Sequence, residues 1–255
     1  MKIVGIFGAH QANGLTKQML TALWSGIPAE DEVTTIDLNQ VEIRPDVPNQ
    51  ANLVLDKIEQ ALKESDIWVI AAPTYWGGLS GEMKHFFDCL RPRIVRFDQR
   101  GGMHPSRYAD KHYVTLTNCY ATKWTNLTDG ITNATFNQVD KVMTTAGLHK
   151  AGEVVLTDTW ELTELPAKKA DQLKQLGHKL GQLQRKDDET MKRYLLLFAV
   201  VAIMTLITMS LQSLISWLFQ WQAGFWGNYI VFICIFFAML AISLHLLTVS
   251  LHARK

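Results

Sequence analysis

Ile67-Trp68-Val69-Ile70-Ala71-Ala72-Pro73-Thr74-Tyr75-Trp76-Gly77-Gly78-Leu79-Ser80-Gly81-Glu82-Met83-Lys84 is the stretch that decides the fold. Ile67–Ala72 is an unbroken apolar run, as expected of a strand covered on both faces. Pro73 cannot continue a ladder and Gly77-Gly78 follow, so Pro73–Ser80 reads as a loop. From Gly81 to Leu90 the apolar residues Met83, Phe86, Phe87 and Leu90 recur at helical spacing. A buried strand that passes through a glycine-containing loop into a helix is the elementary unit of an α/β sheet.

The pattern repeats on both sides. Toward the N-terminus, Lys2–Phe7 is a β-branched and aromatic run, Gly8–Gly14 a loop, and Leu15–Trp24 a helix with Leu15, Met19, Leu20, Leu23 and Trp24 on one side. Glu32–Leu38 reads as a second strand, Val41–Gln50 as a loop holding Pro45 and Pro48, and Ala51–Glu64 as a helix. Toward the C-terminus, Arg91–Asp110 is long, basic and glycine-containing, and is expected to be a flexible excursion. His112–Thr117 is a fourth strand, Cys119–Gly130 a polar loop, Thr135–Ala146 a helix, Glu153–Thr159 a fifth strand and Ala167–Gln184 an amphipathic helix. Strand and helix alternate five times, which argues for a parallel sheet with helices on both faces. Ligands on such sheets bind at the carboxyl ends of the strands, so the loops after the first, third and fourth strands are the places to look.

Charge divides the chain. Of 255 residues, 25 are Lys or Arg and 24 are Asp or Glu, and none of these lies between Leu195 and Leu251. The part before Leu195 is near neutrality, so counterion-release binding to nucleic acid has little to act on. Cys89, Cys119 and Cys234 are too far apart for a CxxC pair, and no Cys/His cluster has metal-ligand spacing. Met1–Phe7 meets Gly8 before a signal-peptide core could form and is expected to be a first strand, not a targeting segment.

Tyr194–Phe219 and Phe225–Leu251 each exceed the roughly 20 apolar residues that cross a bilayer. Gln220–Gly224 is the break between them, and Trp217, Trp221, Trp226 and Tyr229 surround it like an interfacial aromatic belt. Arg185, Lys186, Lys192 and Arg193 precede the first span, and Arg254 and Lys255 follow the second. Basic flanks face the cytoplasm, so the expectation is a multi-pass protein of the cell membrane with its soluble domain and both termini cytoplasmic. The expected domains are 1–187 and a membrane anchor at 188–255, with spans at about 194–219 and 225–251. His245 is the ionisable side chain inside the second span, a candidate site by the general rule for such groups. No second His faces it from the first span, so a bis-His haem is not supported.

The segment Ala71–Lys84 resembles the P-x-Y-W-G-x-x-S-G-x-x-K signature of NADPH-dependent FMN reductases and related flavodoxin-fold quinone reductases. The likeness covers about Met1–Gln184 in order of elements. It implies a flavodoxin-like, doubly wound, five-stranded parallel sheet of order 2-1-3-4-5, followed here by an all-α transmembrane hairpin. It also implies FMN as cofactor and NADPH or NADH as donor. The acceptor would be a quinone, a flavin or a similar small molecule, and the protein a membrane-anchored oxidoreductase that is often homodimeric in the family. The alternative is a non-enzymatic flavodoxin-like electron carrier or redox sensor docked to a membrane partner. Such carriers are usually markedly acidic, and this chain is not.

The residues suit the cofactor. Pro73, Thr74, Tyr75 and Trp76 supply a wall for a flat ring, and Gly77 and Gly78 let the backbone approach it. The flavin itself does the redox chemistry, so no catalytic side chain and no metal are expected. The first loop should hold the phosphate through amides at a helix N-terminus, with Gln11, Asn13 and Thr16 adding side-chain donors. A Ser-x-Arg is common at the start of this loop in the family, where this chain has Ala9-His10-Gln11. His10 either compensates when protonated or is a solvated loop residue. Asn118 and the amides around Cys119 would meet the pyrimidine edge, with Cys119 itself read as an inert thiol. Trp124 stacks on the flavin or substrate, or covers the core. Arg91, Arg93, Arg96 and Arg100 hint at a reader of the NADPH 2′-phosphate.

Overall fold

The structure is a computed structural model that describes residues 1–183, 190–219 and 224–253. It divides into two compact units, Met1–Gln184 and Arg185–Lys255. In chain order the first unit contains β1 (Lys2–Phe7), α1 (Leu15–Trp24), β2 (Glu32–Asp37), α2 (Leu53–Glu64) and β3 (Ile67–Ala71). Then come β4 (Thr74–Tyr75), β5 (Gly78–Leu79), α3 (Gly81–Ile94), β6 (Val95–Phe97), β7 (Met103–Pro105) and β8 (His112–Asn118). It closes with α4 (Lys123–Asp129), α5 (Asn133–Ala146), β9 (His149–Leu156) and α6 (Ala167–Gly181). The second unit holds α7 (Thr190–Phe219) and α8 (Phe225–Ala253).

The main sheet has the order β2-β1-β3-β8-β9, and every pairing in it is parallel. This is the doubly wound, flavodoxin-like 2-1-3-4-5 arrangement. Its two faces bury separate cores. Val4, Ile6, Trp68, Ile70 and Tyr113 face α2, α3 and α5 through Leu55, Leu62, Phe86, Leu90, Val139 and Met143. Ile3, Phe7, Val69, Val114 and Leu116 face α1 and α6 through Met19, Leu20, Leu23, Leu173 and Leu180. The strict alternation along β1 and β3 splits each strand between the two cores, which is why both read as continuous apolar runs. Trp68 spends its polar atom locally, its indole N–H donating to the Leu62 carbonyl at 3.1 Å.

Helices α1 and α6 meet closely. A Cβ on Gly177 would lie 2.3 Å from the Leu23 carbonyl oxygen, and one on Gly26 would lie 1.9 Å from that of Lys174. Only glycine permits this approach, and it fixes the helix whose N-terminus faces the first loop.

The structure corrects the sequence reading in several places. The loop Pro73–Ser80 contains the two-residue antiparallel ribbon β4–β5. Helix α3 does not stop at Leu90 but continues through Pro92 to Ile94. Pro92 removes only the bond to the Asp88 carbonyl, in the last turns of the helix, where Asp88 is exposed. The excursion Arg91–Asp110 therefore begins as the last turn of α3 and continues as a hairpin, with β6 and β7 paired antiparallel from Val95↔Pro105 to Phe97↔Met103. The polar loop after β8 contains α4, capped by Thr122 accepting from the Thr125 amide and closed by left-handed Gly130. Strand β9 begins at His149 instead of Glu153, because pairing with His112 and Tyr113 of β8 draws in its polar residues.

Arg93 fixes the end of α3. Its guanidinium contacts Asp46 at 2.7 Å, Asp56 at 2.7 Å and Glu59 at 3.1 Å, with only 13% of the side chain exposed. Arg93 holds the Asp46 carboxyl below the usual carboxylate range. A carboxyl with a depressed folded pKa stabilises the fold above its unfolded pKa and loses that stabilisation as pH falls through the folded value. Replacing Arg93 by Met is expected to cost about 1–2 kcal/mol at pH 7, less than for a fully buried charge because Asp46 and Asp56 face water. Urea unfolding of Arg93→Met should also show a shallower loss of stability between pH 6 and pH 3 than the parent. An unchanged midpoint at pH 7 would remove this role.

In the second unit, two stretches are long and apolar enough to cross a membrane: Phe198–Leu218 and Phe225–Ile242, with mean hydropathies of 2.1 and 2.2. Phe198, Ile203, Leu206, Leu214, Ile230, Ile233 and Phe237 lie exposed on their outer faces. Between the helices the Gln212 side-chain amide donates to the Asn228 carbonyl at 2.9 Å, and the Thr208 hydroxyl lies 3.7 Å from Met239 Sδ. Phe225, Trp226 and Tyr229 pack ring to ring near the start of α8. The break Gln220–Ala223, the flanking Arg185, Lys186, Arg254 and Lys255, and the side chains of Lys192, Arg193 and His245 lie outside the described residues.

Candidate functional site

Three loops leave the carboxyl edge of the sheet side by side, and specific hydrogen bonds tie them together. The Gly8 amide donates to the Ala71 carbonyl at 2.9 Å, and the buried Ser80 hydroxyl donates to the Gly8 carbonyl at 2.6 Å. These bonds join the loop after β1 to the start of α3. Thr16 of α1 donates its hydroxyl to Asn118 Oδ1 at 2.7 Å, joining α1 to the end of β8. The Thr74 hydroxyl lies 2.9 Å from that of Thr117 and 2.8 Å from that of Thr135, all three buried, which joins the loop after β3 to β8 and α5. Sequence reasoning picked these loops out one by one; the pairings that register them against each other come only from the structure.

The first loop ends at Gly14, the residue before α1. No side chain caps α1, and its first turn contains no acidic residue. The first-turn amides of a helix have no intrahelical partner, so this end presents donors to an anion. Gln11 and Asn13 are exposed in the same loop. Thr16 points inward with its proton already given to Asn118. Asn118 thereby has one lone-pair site occupied by Thr16 and sits between the first loop and the fourth-strand loop. His10 is exposed, with Nδ1 3.1 Å from Glu82 Oε1 and its ring 6.2 Å from that of Tyr75. Glu82, in the first turn of α3, was not anticipated, because nothing local to it marks contact with a loop some seventy residues earlier.

The turn after β3 has an unusual backbone. Tyr75 pairs with Gly78, leaving Trp76 and Gly77 as a two-residue hairpin loop. Both have positive φ, 52° and 73°. That is the signature of a type I′ turn, whose usual occupants are Asn-Gly or Asp-Gly. A tryptophan in the left-handed region is strained, and here it is also fully exposed. Backbone strain of this kind clusters at active and ligand sites. Pro73 beneath the turn is buried, and Gly78 is half-buried. Burial and the nearby Glu82 carboxylate push the Tyr75 phenol up, against a backbone hydrogen bond from His10.

Further exposed aromatics crowd the same edge. Trp124 stands exposed on α4, and Tyr120 and Trp160, after β8 and β9, meet edge to face at 6.4 Å. Trp124 therefore does not cover the core. Tyr120 and Trp160 were missed, since a sequence does not distinguish an aromatic that packs inward from one presented to solvent. Cys119 is buried with its thiol pushed up by burial, which keeps it protonated and unreactive. Among the described residues no group of three or more metal-ligating side chains exists.

The arginine-rich excursion lies at the opposite end of the sheet. Helix α3 starts at this edge and runs 14 residues, about 21 Å at 1.5 Å per residue. Arg93 is bound to its three carboxylates at the far end of that helix, and Arg96 and Arg100 lie beyond it. Of the four arginines singled out in the sequence as readers of a nicotinamide 2′-phosphate, Arg93 is committed to carboxylates, and Arg91, Arg96 and Arg100 are exposed.

Fold and site define a flavodoxin-like α/β domain with its ligand edge at the carboxyl ends of the strands. Residues 1–110 match the family described as NADPH-dependent FMN reductase. An iron-sulfur flavoprotein of Methanocaldococcus jannaschii is 27% identical over 110 residues, covering 39% of this chain and 57% of that protein. The chain thus spans little more than half the length of that curated relative. Among solved structures, an NAD(P)H:quinone oxidoreductase from Methanothermobacter marburgensis superposes with a TM-score of 0.59 at 12% identity, covering 71% of this chain and 98% of the other. An FMN-dependent NADH-azoreductase from Bacillus anthracis, solved with FMN, superposes at 0.56 and 11% identity, covering 71% and 100%. At these identities the likeness is one of fold.

Proposed function

We propose that this protein is an FMN-dependent oxidoreductase that takes electrons from NADPH or NADH and passes them to a quinone or another flat acceptor. One observation carries the reading: the loops after β1, β3 and β8 are locked together by Ser80–Gly8, Thr16–Asn118 and Thr74–Thr117. They bring an uncapped helix N-terminus and a strained, exposed Trp76 to one edge. The match of residues 1–110 to the FMN reductase family supports it.

The residues fit FMN. The N-terminus of α1 with Gln11 and Asn13 holds the phosphate, and His10, paired with Glu82, shields it from that carboxylate. Pro73, Thr74, Tyr75, Trp76, Gly77 and Gly78 flank the ring, with Asn118 and the amide edge at Cys119 toward the pyrimidine. When bound, FMN supplies two-electron transfer between nicotinamide and acceptor. The chain's own task is positioning: the buried threonine network fixes the turn, and Trp76, Tyr120, Trp124 and Trp160 offer faces on which flat molecules stack.

The second unit anchors the protein in the cell membrane as two passes, with the flavin domain and both termini in the cytoplasm. Its exposed apolar helix faces and the charge-free stretch Leu195–Leu251 support this, and a lipid-soluble quinone then becomes a natural acceptor. A homodimer fits the family resemblance.

Detergent-purified protein should show flavin absorbance that bleaches on anaerobic addition of NADPH or NADH and returns with a quinone. A colourless protein that takes up no added FMN would defeat the cofactor assignment. A yellow protein that neither nicotinamide reduces would leave an electron carrier in its place.

A further inference from the structure

The β6–β7 hairpin is a basic surface without a role in the site. Arg96 and Arg100 on it, Arg91 near the end of α3 and Arg107 just after β7 are all exposed, whereas Asp98 is consumed internally by His104 at 2.8 Å and by the amides of Arg100 and Gly102. Phe97 and Met103 form a directly opposed cross-strand pair, both exposed to the same degree, and the Arg91 guanidinium lies 5.6 Å from the Phe97 ring. Beneath the hairpin, between α3 and α5, is a cavity of about 350 Å³ whose lining includes Phe87, Ile94, Met103 and Val142 with Asp88 and Arg91. Half-exposed large apolar side chains interleaved with exposed arginines, whose long stems carry the charge outward, are the composition of a surface that lies in a lipid headgroup layer.

Its position in the fold agrees. The hairpin leads into β8 at the amino edge of the sheet, where Lys111 donates to the Lys63 and Ser65 carbonyls just before β3. Gly147, just before β9, packs against Pro105 and Ala109. Helix α6 ends at Gly181 against Pro28 and Asp31, just before β2, so its C-terminal end lies at this same edge of the unit. The carboxyl edge with the flavin loops is the opposite one.

We propose that the β6–β7 hairpin, carrying Arg96, Arg100, Phe97 and Met103 and flanked by Arg91 and Arg107, docks on an anionic bilayer surface. This rests on the membrane reading of the second unit. Charge complementarity selects the occupant: the cytoplasmic leaflet carries anionic headgroups, and each basic side chain near it contributes a factor of roughly five in affinity. Docking by this edge leaves the flavin edge free of lipid.

Hydrogen exchange on the full chain in lipid nanodiscs tests the proposal. In discs containing anionic phosphatidylglycerol, amides of 95–107 should exchange at least about tenfold more slowly than in phosphatidylcholine discs. The difference should vanish in 0.5 M salt, where screening reaches only a few ångströms. It should also vanish in Arg96→Glu/Arg100→Glu, whose β8 and β9 amides report that the fold is intact. Equal exchange in the two lipids, with Phe198–Leu218 protected in both, overturns the docking and leaves the anchor standing. Protection that is the same in both lipids and grows with protein per disc assigns the patch to a second copy and overturns it too. Protein that fails to enter discs removes the anchor itself, and the docking with it.

Discussion

Trp76→Asn is expected to make the protein more stable and the site worse. Asn followed by Gly77 is the preferred pair for a type I′ turn, and Asn tolerates positive φ where Trp does not. Relief of that strain is worth about 1 kcal/mol, or roughly 2–4 °C in melting temperature for a unit of this size. The indole is fully exposed, so its loss removes no core packing. A face for stacking is lost, and stacking of a flat heterocycle on an aromatic side chain is worth about 1–3 kcal/mol. FMN affinity or kcat/KM with a quinone should therefore fall by about tenfold or more. Thermal unfolding alongside flavin titration and steady-state turnover separates the two effects. If affinity and turnover both match the parent, Trp76 is only a surface residue and the strain has another cause.

Thr74→Val should instead damage the fold and the site together. The side chains have nearly the same shape, so packing is kept. The Thr117 and Thr135 hydroxyls lose their common partner in a buried setting, where Thr115 Oγ1 has no hydrogen-bond partner among the described residues. An unsatisfied buried hydroxyl costs about 1–3 kcal/mol, so a loss of about 2–3 kcal/mol is expected, or roughly 5–10 °C in melting temperature. The turn directly after Thr74 loses its tether to β8 and α5, so FMN occupancy should drop as well. Thr74→Ser keeps the hydroxyl and should recover most of both. A valine variant as stable as the parent would show that the threonine network is dispensable.

Taken together the two substitutions separate strain from support: Trp76 is held in a costly conformation, and Thr74 belongs to what holds it. The expectation of opposite effects on stability two positions apart depends on the backbone at Trp76–Gly77, which the sequence does not announce. Tyr-Trp-Gly-Gly read as aromatic residues beside flexible ones. That the second aromatic occupies the left-handed region follows only from the pairing of Tyr75 with Gly78.

The sequence by itself determined the sheet, its parallel sense and the edge to search. Continuous apolar runs at Lys2–Phe7 and Ile67–Ala72, separated by helical periods, have few other ways to bury both faces. It also marked two helices long and apolar enough to cross a membrane, because no folded core is needed to recognise a long apolar segment free of charge. The tertiary structure alone decided what the polar residues do. Arg93 and Arg96 stand close together in an arginine-rich stretch, yet one is bound by three carboxylates and the other faces water. Glu82 reaches His10, and Thr16 reaches Asn118, across separations that no local pattern encodes. Helical and strand periods are local properties of a chain and survive in its sequence. Partners of polar side chains are set by which ends the fold brings together, and that is fixed only when the two cores close on either side of the sheet.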